Sequence, residues 1–528
     1  MGLLKDFVQK DMIEQIVCLD EIKESKLVDA IPGLWNLYAN PLGDQAVDEM
    51  VYHTLFDLLA GREQEIIAGL GHESVAVRLM CIRRAADGGS AALKDALARL
   101  LASASENELI AEVIRALGSY KDAGLTEILL PYLKHEDYSV VAWAMRDLAA
   151  MHDLKVRDAL MAMVSESREV HNVEAGCDLR TALAVENIAN FSDATTVGFL
   201  IGFIHHANPS FRRVVISTLA AMGEEILPAL EKCLDTGDKD EKIMAANIIG
   251  MVGKKRGADI LVAHLEKTGD ANFKFAIYEA LGRISSMRSV IGLTDGLAEG
   301  DDLVLIAVVT ALDHQCNPGV VKVLNEIIAR GDAQSGRVLS AIITAHARQL
   351  FAALYKDGGQ RGALLDAVRK SGDHEAVGAF RAELTKIGGE QCAKDIEQLG
   401  LGEGGAKEKR VLAADDSKAM LFFYKGVAAD LGLELIAVED GKKAFDYLQM
   451  DSEFDLIITD MNMPNMDGIE LTREIRKKTA WAKIPVLMAT TESEKTQAEL
   501  ARQAGVTDFI TKPFSKDEFK AKLGQMFA

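Results

Sequence analysis

Leu456-Ile457-Ile458-Thr459-Asp460-Met461-Asn462-Met463-Pro464-Asn465-Met466-Asp467-Gly468 runs from an apolar strand, Leu456 to Thr459, through a turn of Asn, Pro and Asp into a helix near Gly468 to Lys477. The same alternation extends on both sides. Upstream stand a strand at Val411 to Ala414, a helix near Ser417 to Leu431, a strand at Glu434 to Val438 and a helix near Lys442 to Met450. Downstream follow a strand at Val486 to Ala489, a helix near Ser493 to Ala504, a strand at Asp508 to Ile510 and a helix from Ser515 to Met526. Five strands separated by helices predict a parallel sheet covered on both faces.

In such a sheet ligands sit beyond the carboxyl ends of the strands, near the switch in strand order. The residues expected there carry chemistry. Strand one ends in Asp415-Asp416, strand three in Asp460 and strand four in Thr490, and strand five runs into Lys512-Pro513. Carboxylates crowded together repel, and a hard cation held by oxygen ligands, Mg²⁺ above all, is the ordinary relief. With a lysine beside them they suit phosphoryl transfer to a carboxylate, the cations absorbing charge on the moving group.

The motifs Ala414-Asp415-Asp416-Ser417, Asp460 to Gly468, Met488-Ala489-Thr490 and Thr511-Lys512-Pro513-Phe514 resemble the receiver domain of two-component response regulators, most closely the chemotaxis (CheY-like) type. The flavodoxin-like fold of that family is itself a standard example of the switch-point rule. The resemblance covers residues 410–528 and implies the strand order 2-1-3-4-5. It implies Asp460 as phosphoacceptor, Asp416 as a direct Mg²⁺ ligand, Asp415 as a second acid acting through water, and Asn462 as a donor of its backbone carbonyl. Thr490 and Lys512 would meet the phosphoryl group, Lys512 positioned by Pro513, and Phe509 would be the aromatic switch. A sensor histidine kinase is the implied phosphodonor. Asn462 and Glu492 resemble pairs found where the phosphoryl group is short-lived.

Outward from this domain, Leu399-Gly400-Leu401-Gly402-Glu403-Gly404-Gly405-Ala406 reads as part of a flexible linker over 400–409. Before it the period changes. Ala86, Leu117, Leu148, Ile188, Leu219, Ile249, Leu281, Leu312 and Ile343 recur about every 31 residues, with one step of about 40. Four positions earlier stand Ile82, Val113, Ala144, Ala184, Val215, Ala245, Ile277, Val308 and Leu339, on the same helix face. Each unit predicts two helices, such as Leu125 to Lys134 and Ser139 to Ala150, broken at polar turns like Thr236-Gly237-Asp238-Lys239-Asp240. A pair that short cannot bury its own face, so the units must stack into an all-α solenoid over 46–399. The endings Arg115-Ala116-Leu117-Gly118 and Glu279-Ala280-Leu281-Gly282 resemble HEAT-like repeats. The long step falls between Ser165 and Asp178, an insertion of the kind that sits on one surface of a solenoid. In residues 1–45, Leu3, Leu4, Phe7, Val8, Met12, Ile13 and Ile16 predict an amphipathic capping helix.

Composition narrows the function. The 528 residues are 49% hydrophobic and carry a net charge of −21, which argues against disorder and against nucleic-acid phosphate as the main partner. From Lys407 onward the charge is only about −3, so the array carries the acidity. No uncharged stretch is long enough to span a membrane, and Lys5, Asp6, Lys10 and Asp11 interrupt any secretory signal, so a cytoplasmic chain is expected. Cys18, Cys81, Cys177, Cys233, Cys316 and Cys392 stand singly and predict reduced thiols, and His205-His206 lacks further ligands at metal spacing. No DNA-binding or catalytic output segment accompanies the receiver. The expected output is therefore protein binding by the array, with an unidentified partner. The alternatives are a phosphate sink for a chemotaxis-like kinase, or a lyase-like enzyme, since HEAT-like repeats also occur in bilin lyases.

Overall fold

The computed structural model describes residues 3–172, 176–206, 208–371, 373–399, 409–490, 495–512 and 514–527. The chain forms two compact units, one of residues 1–168 and 177–191, the other of residues 169–176 and 192–528.

In the first unit the described residues are helices and turns. A short 3-10 turn, Phe7–Gln9, precedes the helix Met12–Glu24, which starts where the Asp11 side chain accepts from the backbone N–H of Glu14 at 2.9 Å. The buried face of that helix is Gln15, Cys18, Leu19 and Ile22, while Val8, Met12 and Ile13 are exposed. The expected apolar face therefore does not form. The apolar period runs through Lys10 and Asp11, which are extended and separate the 3-10 turn from the helix, so the two segments do not share one helical phase. Paired helices follow. The expected helix Leu125 to Lys134 is instead a 3-10 turn, a single α turn Thr126–Leu129, and a 3-10 helix Leu130–Lys134. Pro131 lacks the N–H an α-helix needs there.

Within each unit the repeat columns are core positions. Of the eighteen positions named above, all are buried except Ala86 and Leu339, which stand at the two ends of the rows and are half-buried. Asp137, Asp178, Asp238, Asp270, Asp301 and Asp332 each cap a helix that carries the columns, and Asn208 does the same at its repeat. Each accepts from backbone N–H groups of the first turn, so the recurring polar breaks are N-caps. Gly282 shows why glycine closes a repeat: a Cβ there would lie 2.8 Å from the Cβ of Ala311 on the next helix.

In the second unit the column-bearing helices are Pro209–Met222, Lys239–Val252, Ala271–Arg283, Asp302–His314 and Ala333–Thr344, and helices continue to Glu390–Gln398. The expected linker, 400–409, lies outside the described residues except for Lys409. After it come β1 (Arg410–Ala414), β2 (Glu434–Val438), β3 (Leu456–Asp460), β4 (Val486–Thr490) and β5 (Asp508–Thr511), a parallel sheet in the order β2-β1-β3-β4-β5 with helices between. The three central strands are almost wholly buried, as a sheet covered on both faces requires. The first helix of this domain, Lys418–Leu431, packs on the array helices Asp302–His314 and Ala333–Thr344. The approach is close: a Cβ on Gly426 would sit 2.9 Å from Cγ2 of Thr344, and the Phe422 ring lies 5.1 Å from that of His346.

Candidate functional site

Parallel register sets the strand ends level: Ala414 pairs with Thr459, Asp460 with Ala489, and Thr490 with Thr511. Lys512 leaves β5 by donating its backbone N–H to the Thr490 carbonyl at 2.7 Å, which aims its side chain over β3 and β1. Its Nζ donates to Asp460 Oδ1 at 2.6 Å and to Asp415 Oδ2 at 2.7 Å. Asp460 Oδ2 accepts from the backbone N–H of Asn462 at 2.8 Å. Asp415 is fully engaged, its Oδ1 accepting from the backbone N–H of Ser417 at 3.0 Å and its Oδ2 also from the Tyr424 hydroxyl at 3.1 Å. Tyr424 is the residue sequence reasoning passed over. It lies among apolar neighbours on a helix, and only its buried hydroxyl reveals a polar task.

The charges set protonation. Burial alone would lower the Lys512 ammonium, but Asp415 and Asp460 outweigh it and hold the group well above the usual lysine range. It is a permanent cation at the end of β5. Asp416 keeps its side chain open to the cleft, yet protein surrounds it on most sides. That desolvation, followed by the charge of Asp460, outweighs the opposing Arg283 and pushes the carboxyl up to about 7. Among the described residues no three acidic, histidine or cysteine side chains are grouped as a metal cluster. The crowding of Asp415 against Asp460 is relieved by Lys512 instead, and Asp416 is the acid left with its charge resisted. That is a donor set suited to a cation that keeps most of its water, as Mg²⁺ does.

Thr490 is buried at the end of β4, its Oγ1 3.8 Å from the Met461 sulfur. Phe509 is half-buried on β5, its ring 5.6 Å from the guanidinium carbon of Arg502. Pro513 and Glu492 lie outside the described residues. His205 and His206 form a turn, His206 Nδ1 accepting from the backbone N–H of Asn208 at 3.1 Å, and burial lowers the His206 imidazole. Cys81 is a buried thiol pushed up to about 12 by burial, far from the reactive range.

The cleft has a second wall, which the sequence did not announce. Array helices Pro209–Met222, Lys239–Val252 and Ala271–Arg283 close over Asp416, Asp460, Asn462 and Lys512 to leave a cavity of about 410 Å³. Arg212, only 2% exposed, donates to the Asn462 side chain and, at 3.0 Å, to the His206 carbonyl. Arg213 pairs with Glu470 at 3.3 Å, Ser210 donates to Glu470, and Ser417 donates to Glu279. These partners lie 138 to 260 residues apart along the chain. No local motif joins them.

Residues 411–524 match the response regulator receiver domain family, and residues 63–148 and 227–313 match HEAT repeats. The chain is 36% identical over 115 residues to the chemotaxis protein CheY1 of Helicobacter pylori, spanning 22% of this chain and 93% of that one. It is equally similar to a CheY homolog of Campylobacter jejuni, of which it spans 88%. Among solved structures, CheY4 of Vibrio cholerae shares 31% identity and a TM-score of 0.22, over 23% of this chain and 99% of that one. CheY-like receivers act on their own phosphoryl group and not on an external substrate. With the sheet order, the strand-end acids and these relatives together, the chain belongs to the response regulators, a CheY-like receiver domain preceded by HEAT-like repeats.

Proposed function

We propose that the chain is the response regulator of a two-component phosphorelay, phosphorylated on Asp460 by a histidine kinase and acting through protein binding by its HEAT-like array. The observation that carries this is Lys512 bridging Asp460 and Asp415 at the strand ends with Asp416 beside them. In the transfer, a carboxylate oxygen of Asp460 bonds to phosphorus as the phosphorus–nitrogen bond of the donor imidazole breaks, and the imidazole takes up a proton. Lys512 stays charged throughout and balances the added negative charge. Mg²⁺ would be held by Asp416, Asp460 and the backbone carbonyl of Asn462, with Asp415 acting through water, since its oxygens serve Lys512, Tyr424 and Ser417. When bound it supplies further charge neutralisation at the phosphoryl oxygens.

Thr490, at the end of β4, would hydrogen-bond the phosphoryl group, and Phe509 on the neighbouring strand would be the aromatic that responds. Pro513 completes the proposed switch. We place the protein in the cytoplasm, where its kinase's transmitter would lie; no helix among the described residues is long and apolar enough to cross a membrane. The domain limits proposed are a cap at 1–45, the array at 46–399, a linker at 400–409 and the receiver at 410–528.

The test is phosphoramidate with Mg²⁺ followed by intact-mass measurement. Wild type gains one acid-labile phosphoryl group and Asp460→Ala gains none. Equal uptake by both would remove Asp460 from its role. For the output, pulldowns with phosphorylated wild type and Asp460→Ala should differ in captured partners; identical captures would exclude phosphorylation-controlled binding.

A further inference from the structure

Four cationic side chains line the receiver cleft, and three are engaged. Lys512 holds Asp415 and Asp460, Arg212 holds Asn462, and Arg213 holds Glu470. The fourth, Arg283, ends the array helix Ala271–Arg283, lines the same cavity as Asp460, and makes no hydrogen bond or ion pair among the described residues. It is exposed to the cleft, and its charge acts on Asp416. A guanidinium with no partner, lining the same cavity as a buried carboxylate that gains a dianionic group, is suited to bidentate oxyanion binding.

We propose that Arg283 of the HEAT-like array binds the phosphoryl group carried by Asp460, so that phosphorylation tightens the receiver against its own array. The inference rests on the reading of Asp460 as phosphoacceptor. The array wall offers Arg212, Arg213 and Arg283 against the single acid Glu279, which donates no charge relief but accepts from Ser417. Adding about two negative charges to the opposite wall raises the attraction across the cleft. Arg283 thus acts as a phosphoryl ligand supplied by a helix more than a hundred residues before the receiver, and the array becomes part of the phosphorylation site as well as an output module.

The experiment uses the full chain loaded with phosphoramidate and Mg²⁺, as wild type, Arg283→Ala, Arg283→Lys and Asp460→Asn. Intact mass gives phosphoryl content, and amide hydrogen exchange follows residues 209–222 and 271–283, the helices lining the cleft. Wild type is expected to exchange about tenfold more slowly there once phosphorylated. Compared at equal phosphoryl content, Arg283→Ala is expected to lose most of that protection, with Arg283→Lys between. Equal protection in phosphorylated Arg283→Ala, or faster exchange in phosphorylated wild type, overturns the proposal and leaves Asp460 untouched. No uptake by wild type overturns the phosphoacceptor reading and this proposal with it. Because Arg283 is exposed and ends its helix, the alanine variant keeps the repeat core intact.

Discussion

Lys512 is buried with two carboxylates within hydrogen-bond distance, and removing it would leave both charges without a partner. Breaking a buried pair by deleting one member costs about 3–5 kcal/mol. Lys512→Met is therefore expected to lower receiver stability by about that amount in chelator, and by less in millimolar Mg²⁺, since a cation at Asp460 relieves the same repulsion. Denaturant unfolding with and without Mg²⁺ measures both, and a loss under about 1 kcal/mol would show the acids are neutral without it. Asp467 gives a pH test. Burial, then Glu470, raise its carboxyl to about 7, against its backbone bond to Glu470 and the facing charges of Arg212 and Arg213. A carboxyl raised in the folded state binds its proton more tightly there than when unfolded, so stability falls as pH climbs from the ordinary carboxylate range to about 7 and then levels. Asp467→Asn keeps an oxygen to cap its helix and removes the charge. Its Tm should exceed wild type by about 2 °C near pH 8, the gain vanishing near pH 4. A gain independent of pH would assign it to packing. At this scale the strand-end acids, Thr490 and Lys512 were legible, because strand ends are where a parallel sheet puts its chemistry. Tyr424 was not, because an aromatic on a buried helix face reads as core.

At the scale of elements the alternation of strands and helices and the 31-residue period were both readable, because each is a repeated burial pattern rather than a single residue. The failures have local causes. Pro131 converted an expected helix into 3-10 turns, and the Asp11 cap broke the expected phase of the first helix. The turn after β3 shows how tightly an element can constrain the site. A Cβ on Gly468 would lie 2.1 Å from the Asp460 carbonyl oxygen and 3.1 Å from the Met488 methyl, so the next helix must begin with glycine to pass beneath Asp460. Gly468→Ala forces backbone against backbone, where no side chain can yield. The variant is expected to lose about 2–4 kcal/mol of receiver stability and to phosphorylate more slowly than wild type under conditions where it remains folded. Thermal unfolding and phosphoramidate uptake would show this. Wild-type stability would mean that β3 and the helix separate more readily than their contact implies.

At the scale of the second unit, the seating of the receiver on the array was not legible, since Arg212–Asn462, Ser210–Glu470 and Ser417–Glu279 pair residues with no sequence relation. That seating carries a kinetic consequence. A cavity of about 410 Å³ above Asp460 has the size of a small-molecule site, not of a protein helix presenting a phosphohistidine. If Asp460 is phosphorylated as proposed, phosphoramidate is expected to enter while the receiver is seated, and a protein donor to wait for it to lift. Gly426 supplies the means to separate the two, because it faces Thr344 with no room for a side chain, and a leucine there keeps the helix while wedging the contact. Gly426→Leu is expected to speed phosphotransfer from a phosphohistidine protein by about tenfold or more, while phosphoramidate uptake changes little. Small-angle scattering should show the variant expanded. Equal acceleration with both donors would place the effect in the chemistry of Asp460; no acceleration with an expanded shape would mean that the seated receiver already admits its kinase.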